Sequence, residues 1–81
     1  MHIENLVKMA NDIAVFFEAE PERPAAIHAI ADHIKKFWDP RMRQAILQHN
    51  REGGFGLSEL ARLAVHHLDE ENHAMLECGD G

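Results

Sequence analysis

The stretch His33-Ile34-Lys35-Lys36-Phe37-Trp38-Asp39-Pro40-Arg41-Met42-Arg43 decides how this chain folds. It holds the single tryptophan and four of the eight Lys and Arg residues. A proline at position 40 disfavours helical backbone at Asp39, so a helix that includes Trp38 is expected to stop there. Asp39 then suits the N-cap of a following helix and Pro40 its first position. The sequence therefore predicts that two helices meet within two residues, in a segment that we call the corner (residues 33–43).

The corner combines aromatic and basic side chains. Neighbouring residues on a helix lie about 100° apart, so Phe37 and Trp38 cannot both point fully into one small core. We expect one ring to pack inside and the other to be left for a partner, with the surrounding cations suited to carboxylates or carbonyls. The candidate partner-binding residues are Phe37, Trp38, Arg41, Met42 and Arg43, and the residues that shape the corner are His33, Asp39 and Pro40.

Composition limits the class of protein. With 81 residues the chain forms one domain at most, and its net charge of −6 argues against nonspecific binding to nucleic acid or an anionic membrane. One cysteine, Cys78, cannot form an internal disulfide and is typical of a reducing compartment. The chain has no apolar run of the roughly 18 residues needed to span a bilayer. We therefore expect a cytoplasmic protein.

Apolar residues recur at intervals of three and four, which predicts an all-α fold, a small bundle of about four short helices. The predicted helices run from Ile3 to Phe17, from Pro24 to Trp38, from Pro40 to about Asn50, and from an N-cap at Ser58 through Leu68. The sequence leaves the end of the fourth helix open. Residues 1–68 form the predicted helical domain, and residues 69–81 an acidic, flexible tail.

The apolar stripes also predict which side chains face the core. In the later helices these include Phe37 and Trp38, then Met42, Ala45, Ile46 and His49, and finally Leu60, Leu63, Ala64, His67 and Leu68. Met9 and Phe16 flank the stripe of the first helix and widen it, so this helix is expected to touch two neighbours.

The remaining polar residues could in principle hold a metal or act as a cysteine or serine nucleophile. His66, Glu70 and His73, with His67 beside them, have a helical spacing that would let side chains share a metal, but the acidic, polar surroundings favour solvated residues. Cys78 lies in an acidic tail that disfavours a thiolate, and Ser58 suits a helix cap better than a nucleophile. The sequence therefore predicts no catalytic residue, no metal site and no cofactor on this chain.

A DNA-binding alternative rests on one segment. Leu57-Ser58-Glu59-Leu60-Ala61-Arg62-Leu63-Ala64 follows a glycine-containing turn, like the first helix of a helix-turn-helix. Residues 66–72, where the recognition helix would lie, are acidic where DNA phosphates would approach. A helix-turn-helix-like regulator is kept as an alternative, and binding of DNA at low salt would favour it.

Three motifs resemble one known family. They are Asn5-Leu6 with Met9-Ala10-Asn11-x-Ile13-x-x-Phe16-Phe17, His33-Ile34-x-x-Phe37-Trp38-x-Pro40-Arg41-Met42-Arg43, and Gly53-Gly54-x-Gly56-Leu57. Over residues 3 to 68 the chain resembles the small delta subunit of cytoplasmic NAD-dependent, molybdenum-containing formate dehydrogenases.

This resemblance implies a noncatalytic subunit that supports assembly or stability of a formate-oxidising complex. Its implied partner is the large molybdenum-containing subunit, with no nucleic acid and no membrane involved. The resemblance further implies that other subunits carry the bis-molybdopterin guanine dinucleotide, the iron–sulfur clusters and FMN, and that electrons pass to NAD⁺. An assembly chaperone that is absent from the mature enzyme is a second alternative.

Overall fold

Four helices form the fold in a computed structural model, which describes the backbone of residues 2–80 and the side chains of residues 2–72. They are α1 (Ile3–Phe17), α2 (Arg23–Phe37), α3 (Pro40–Arg51) and α4 (Glu59–Asp80). No strand occurs in the described backbone. The all-α prediction is confirmed, and the predicted starts of the four helices agree with the observed ones to within one residue.

The helices enclose one apolar core. The largest helix contact joins α2 to α4, and α1 packs against the other three helices. Alanines allow these close approaches because they add little bulk between two backbones. The buried residues are Leu6, Ala10, Ala14, Ala26, Ile30, Ala31, Ile34, Trp38, Ile46, Leu47, Leu57, Leu60, Ala61, Ala64, Val65 and Leu68.

Several predicted core positions need correction. Phe37 and Leu63 lie on the predicted apolar stripes, but they are 72 % and 37 % exposed. Ala61 and Val65 are fully buried instead, so the inward face of α4 is rotated from the predicted stripe. His49 is half-buried, and its Nε2 lies 2.8 Å from the Phe55 carbonyl oxygen. His49 therefore contacts the loop between α3 and α4.

Both predicted N-caps are present. The Asp39 Oδ1 accepts a hydrogen bond from the Met42 N–H at 2.9 Å, and the Ser58 Oγ accepts one from the Ala61 N–H at 3.2 Å. Gly54, before the fourth helix, has φ +65°, and a Cβ there would lie 2.6 Å from Asn50 Oδ1. The caps and this glycine set the points where the chain changes direction.

The helix α4 continues through the acidic run in which its end was uncertain. Arg51 holds Asp69 through two hydrogen bonds, from Nε at 2.9 Å and from Nη2 at 2.6 Å, and this interaction raises the pKa of Arg51. Lys35 of α2 lies 3.9 Å from Glu71. Cations of α2 and α3 thus offset the charge of residues 69–72. The division into residues 1–68 and a tail stays a prediction, and the side chains of residues 73–81 lie outside the described part.

Replacing Asp39 with alanine is expected to lower the free energy of unfolding by about 0.5–2 kcal/mol, because the first turn of α3 loses its cap. Urea unfolding followed by circular dichroism measures this change. Asp32→Ala is the control, since it removes an exposed carboxylate 3.0 Å from Lys36, a pair worth about 0.3–0.5 kcal/mol. Equal losses in the two variants would contradict a capping role for Asp39.

Candidate partner-binding surface

The two aromatic residues of the corner point in different directions. The Trp38 side chain is 4 % exposed and belongs to the core, whereas Phe37 is 72 % exposed. The backbone explains this arrangement, because α2 ends at Phe37 and Trp38 adopts an extended conformation with its N–H bonded to the Ile34 carbonyl oxygen at 3.0 Å. The expectation that only one ring enters the core is confirmed, and Phe37 is the ring on the surface.

The two arginines of the corner also differ. Arg43 Nη1 donates to the Trp38 carbonyl oxygen at 2.6 Å and to the Lys35 carbonyl oxygen at 3.2 Å. Its guanidinium thus donates to carbonyl groups at the end of α2 that lack a partner within the helix. The side chain of Arg41 is exposed and makes no hydrogen bond or ion pair in the described part of the chain. Arg41 is therefore the arginine available to a second molecule.

The other predicted binding residues contribute less to the surface. Met42 is half-buried against the core, and its N–H is bonded to Asp39. Lys36, a cation of the corner that is not one of the five predicted binding residues, lies 3.0 Å from Asp32 on the same helix. Of the five predicted partner-binding residues, Phe37 and Arg41 are thus the exposed ones, and binding by any of the five stays a prediction.

His33 connects the corner to a groove between α1 and α2. Its half-buried ring lies 4.7 Å from the Phe37 ring, measured between centroids. It also lines a groove of about 290 Å³. The other lining residues are Asp12, Ile13, Phe16 and Phe17. His33 therefore makes the surface around Phe37 continuous with α1.

An apolar strip on α1 forms the other side of this groove. Phe16 is 77 % exposed and Met9 is 40 % exposed, and they share one helical face with the half-buried Ile13. The Phe16 ring packs edge-on against the Phe17 ring, with centroids 5.0 Å apart. We call the surface formed by Met9, Ile13, Phe16, His33 and Phe37 the α1–α2 face.

Sequence reasoning did not include Met9, Ile13 or Phe16 in the candidate site. The signal in the sequence is the widened stripe of the first helix, which predicts that this helix touches two neighbours. The structure gives α1 three neighbouring helices and still leaves Phe16 and part of Met9 exposed. The widened part of the stripe thus lies outside the core.

The histidines of α4 interact with neighbours in the bundle. The His67 ring stacks on His28 of α2, with centroids 4.3 Å apart, and its Nε2 lies 3.1 Å from Glu71. His66 Nε2 lies 2.7 Å from Glu70 Oε1. The described side chains contain no group of three or more His, Cys, Asp or Glu residues placed to hold a metal ion. The side chain of His73, the third member of the predicted spacing, lies outside the described part.

None of the helices, as far as the chain is described, combines the length and the apolar character that a membrane span requires.

Comparison with known proteins gives one family. The family model of the NADH-dependent formate dehydrogenase delta subunit FdsD matches residues 5–65, which include most of α1, all of α2 and α3, and the first part of α4. Neither the curated proteins nor the solved structures contain a match to the chain. Because the matched segment spans most of the sequence and contains all three motifs, the chain belongs to the family of NADH-dependent formate dehydrogenase delta subunits.

Proposed function

We propose that this chain is a noncatalytic accessory subunit that binds the large molybdenum-containing subunit of a formate dehydrogenase and supports the assembly or stability of that complex. Membership of the delta subunit family supports the link to the enzyme. The observation that carries the binding role is the α1–α2 face, on which Phe16 and Phe37 are largely exposed. Arg41, which follows at the start of α3, has no partner among the described residues.

The exposure of phenylalanine is high for so small a domain. Three of its four phenylalanines, Phe16, Phe37 and Phe55, are 77 %, 72 % and 89 % exposed. Two of the three lie on one continuous surface with Ile13 and His33. Contiguous apolar surface on a soluble domain commonly marks a binding site, since covering it removes apolar area from water. The α1–α2 face therefore fits an apolar segment of a larger partner.

The charged residues near the α1–α2 face differ in whether they already have a partner. Asp12, the acidic residue at the groove, already lies 3.1 Å from Lys8 on the same helix. At the corner end, Arg41 has no partner among the described residues, and its planar guanidinium can hold a carboxylate through two parallel hydrogen bonds. A partner segment with apolar side chains and a carboxylate near Arg41 would complement both the apolar groove and the guanidinium of Arg41.

Redox chemistry in this proposal belongs to the other subunits. The bis-molybdopterin guanine dinucleotide, the iron–sulfur clusters, FMN and the site for NAD would all lie outside this chain. The cavities found in its described part have volumes of about 200–360 Å³ and are open to solvent. We place the complex in the cytoplasm, in line with a single cysteine that has no internal partner.

Co-purification tests the binding role. Phe37→Ala combined with Arg41→Ala is expected to lower the yield of large subunit recovered with tagged delta chain by about tenfold or more, since central aromatic and arginine residues dominate interface energies. Circular dichroism of the variant should stay unchanged, because both side chains are exposed.

The matched control is Phe55→Ala combined with Arg62→Ala. This pair removes the same two side-chain types from exposed positions outside the α1–α2 face and is expected to leave recovery unchanged. Equal recovery with both double variants would contradict the proposed surface. The stoichiometry of the chain in purified, active enzyme then separates a permanent subunit, present in constant ratio, from an assembly chaperone.

A further inference from the structure

We draw no further inference here: the strongest candidate, the apolar groove between α1 and α2 beside His33 and the exposed ring of Phe16, belongs to the surface already proposed to bind the large subunit, and nothing in the described part of the structure shows which segment covers it.

Discussion

Replacing Trp38 with alanine is expected to lower the free energy of unfolding by about 3–5 kcal/mol, because it leaves a cavity in the core where a large ring was packed. The Trp38 side chain is 4 % exposed and belongs to the same buried cluster as Ile34 and Ile46. Domains of this size have a total stability of only about 5–15 kcal/mol, so the variant should be partly unfolded or melt at much lower temperature. Urea unfolding followed by circular dichroism, a readout that does not require the removed tryptophan, measures the loss of stability.

Phe37→Ala is the matched control for this substitution. It removes an aromatic ring from the adjacent residue, but that ring is 72 % exposed, so the free energy of unfolding should change by about 0.5 kcal/mol or less. If Phe37→Ala destabilised the chain as much as Trp38→Ala, the assignment of one ring to the core and the other to the surface would be wrong.

The turns and helix starts could be predicted because they depend on local chemistry. Asp39 before Pro40 and Ser58 before Glu59 have the side chains that cap helices, and both accept the expected backbone hydrogen bonds. The first helix has the predicted bounds, since its apolar stripe runs without interruption from Ile3 to Phe17. Sequence was therefore enough for the starts of the helices and for the position of the corner.

The inward face of α4 could not be predicted as well. The apolar spacing places Leu63 in the core stripe, yet Leu63 is 37 % exposed, and Ala61 and Val65, which the predicted stripe omits, are fully buried. Alanine contributes little to an apolar stripe, but it is needed where α4 approaches α2 closely. The length of α4 was uncertain for a related reason, because Lys35 and Arg51, which offset its acidic residues, come from other helices.

For the candidate site, sequence identified the corner but could not assign its members. The angular separation of Phe37 and Trp38 requires that they diverge, but it does not say which ring is buried. Sequence likewise could not identify the exposed α1 strip. Met9 and Phe16 widen an apolar stripe whether a neighbour covers them or not, and only the packing of all four helices shows that they remain exposed.

Arg43→Ala is expected to lower the free energy of unfolding by about 1.5–3 kcal/mol, the range for hydrogen bonds that involve a charged group. The guanidinium donates to the Trp38 and Lys35 carbonyl oxygens at 2.6 Å and 3.2 Å, and its loss leaves both acceptors without this donor at the end of α2. Lysine is an incomplete replacement, because both bonds come from Nη1 and the lysine side chain, which is one atom shorter, does not bring its ammonium to the position of that nitrogen. Arg43→Lys should therefore recover only part of the stability in urea unfolding.

Arg41→Ala is the matched variant, and together the two arginines separate a structural role from a binding role. Arg41 has no partner within the described part of the chain, so its removal should change the free energy of unfolding by about 0.5 kcal/mol or less. The same removal should weaken recovery of the large subunit, because a charge-assisted contact is lost. The opposite result, in which Arg43→Ala retains full stability but loses the large subunit, would mean that the Arg43 guanidinium leaves the α2 carbonyls to contact the partner.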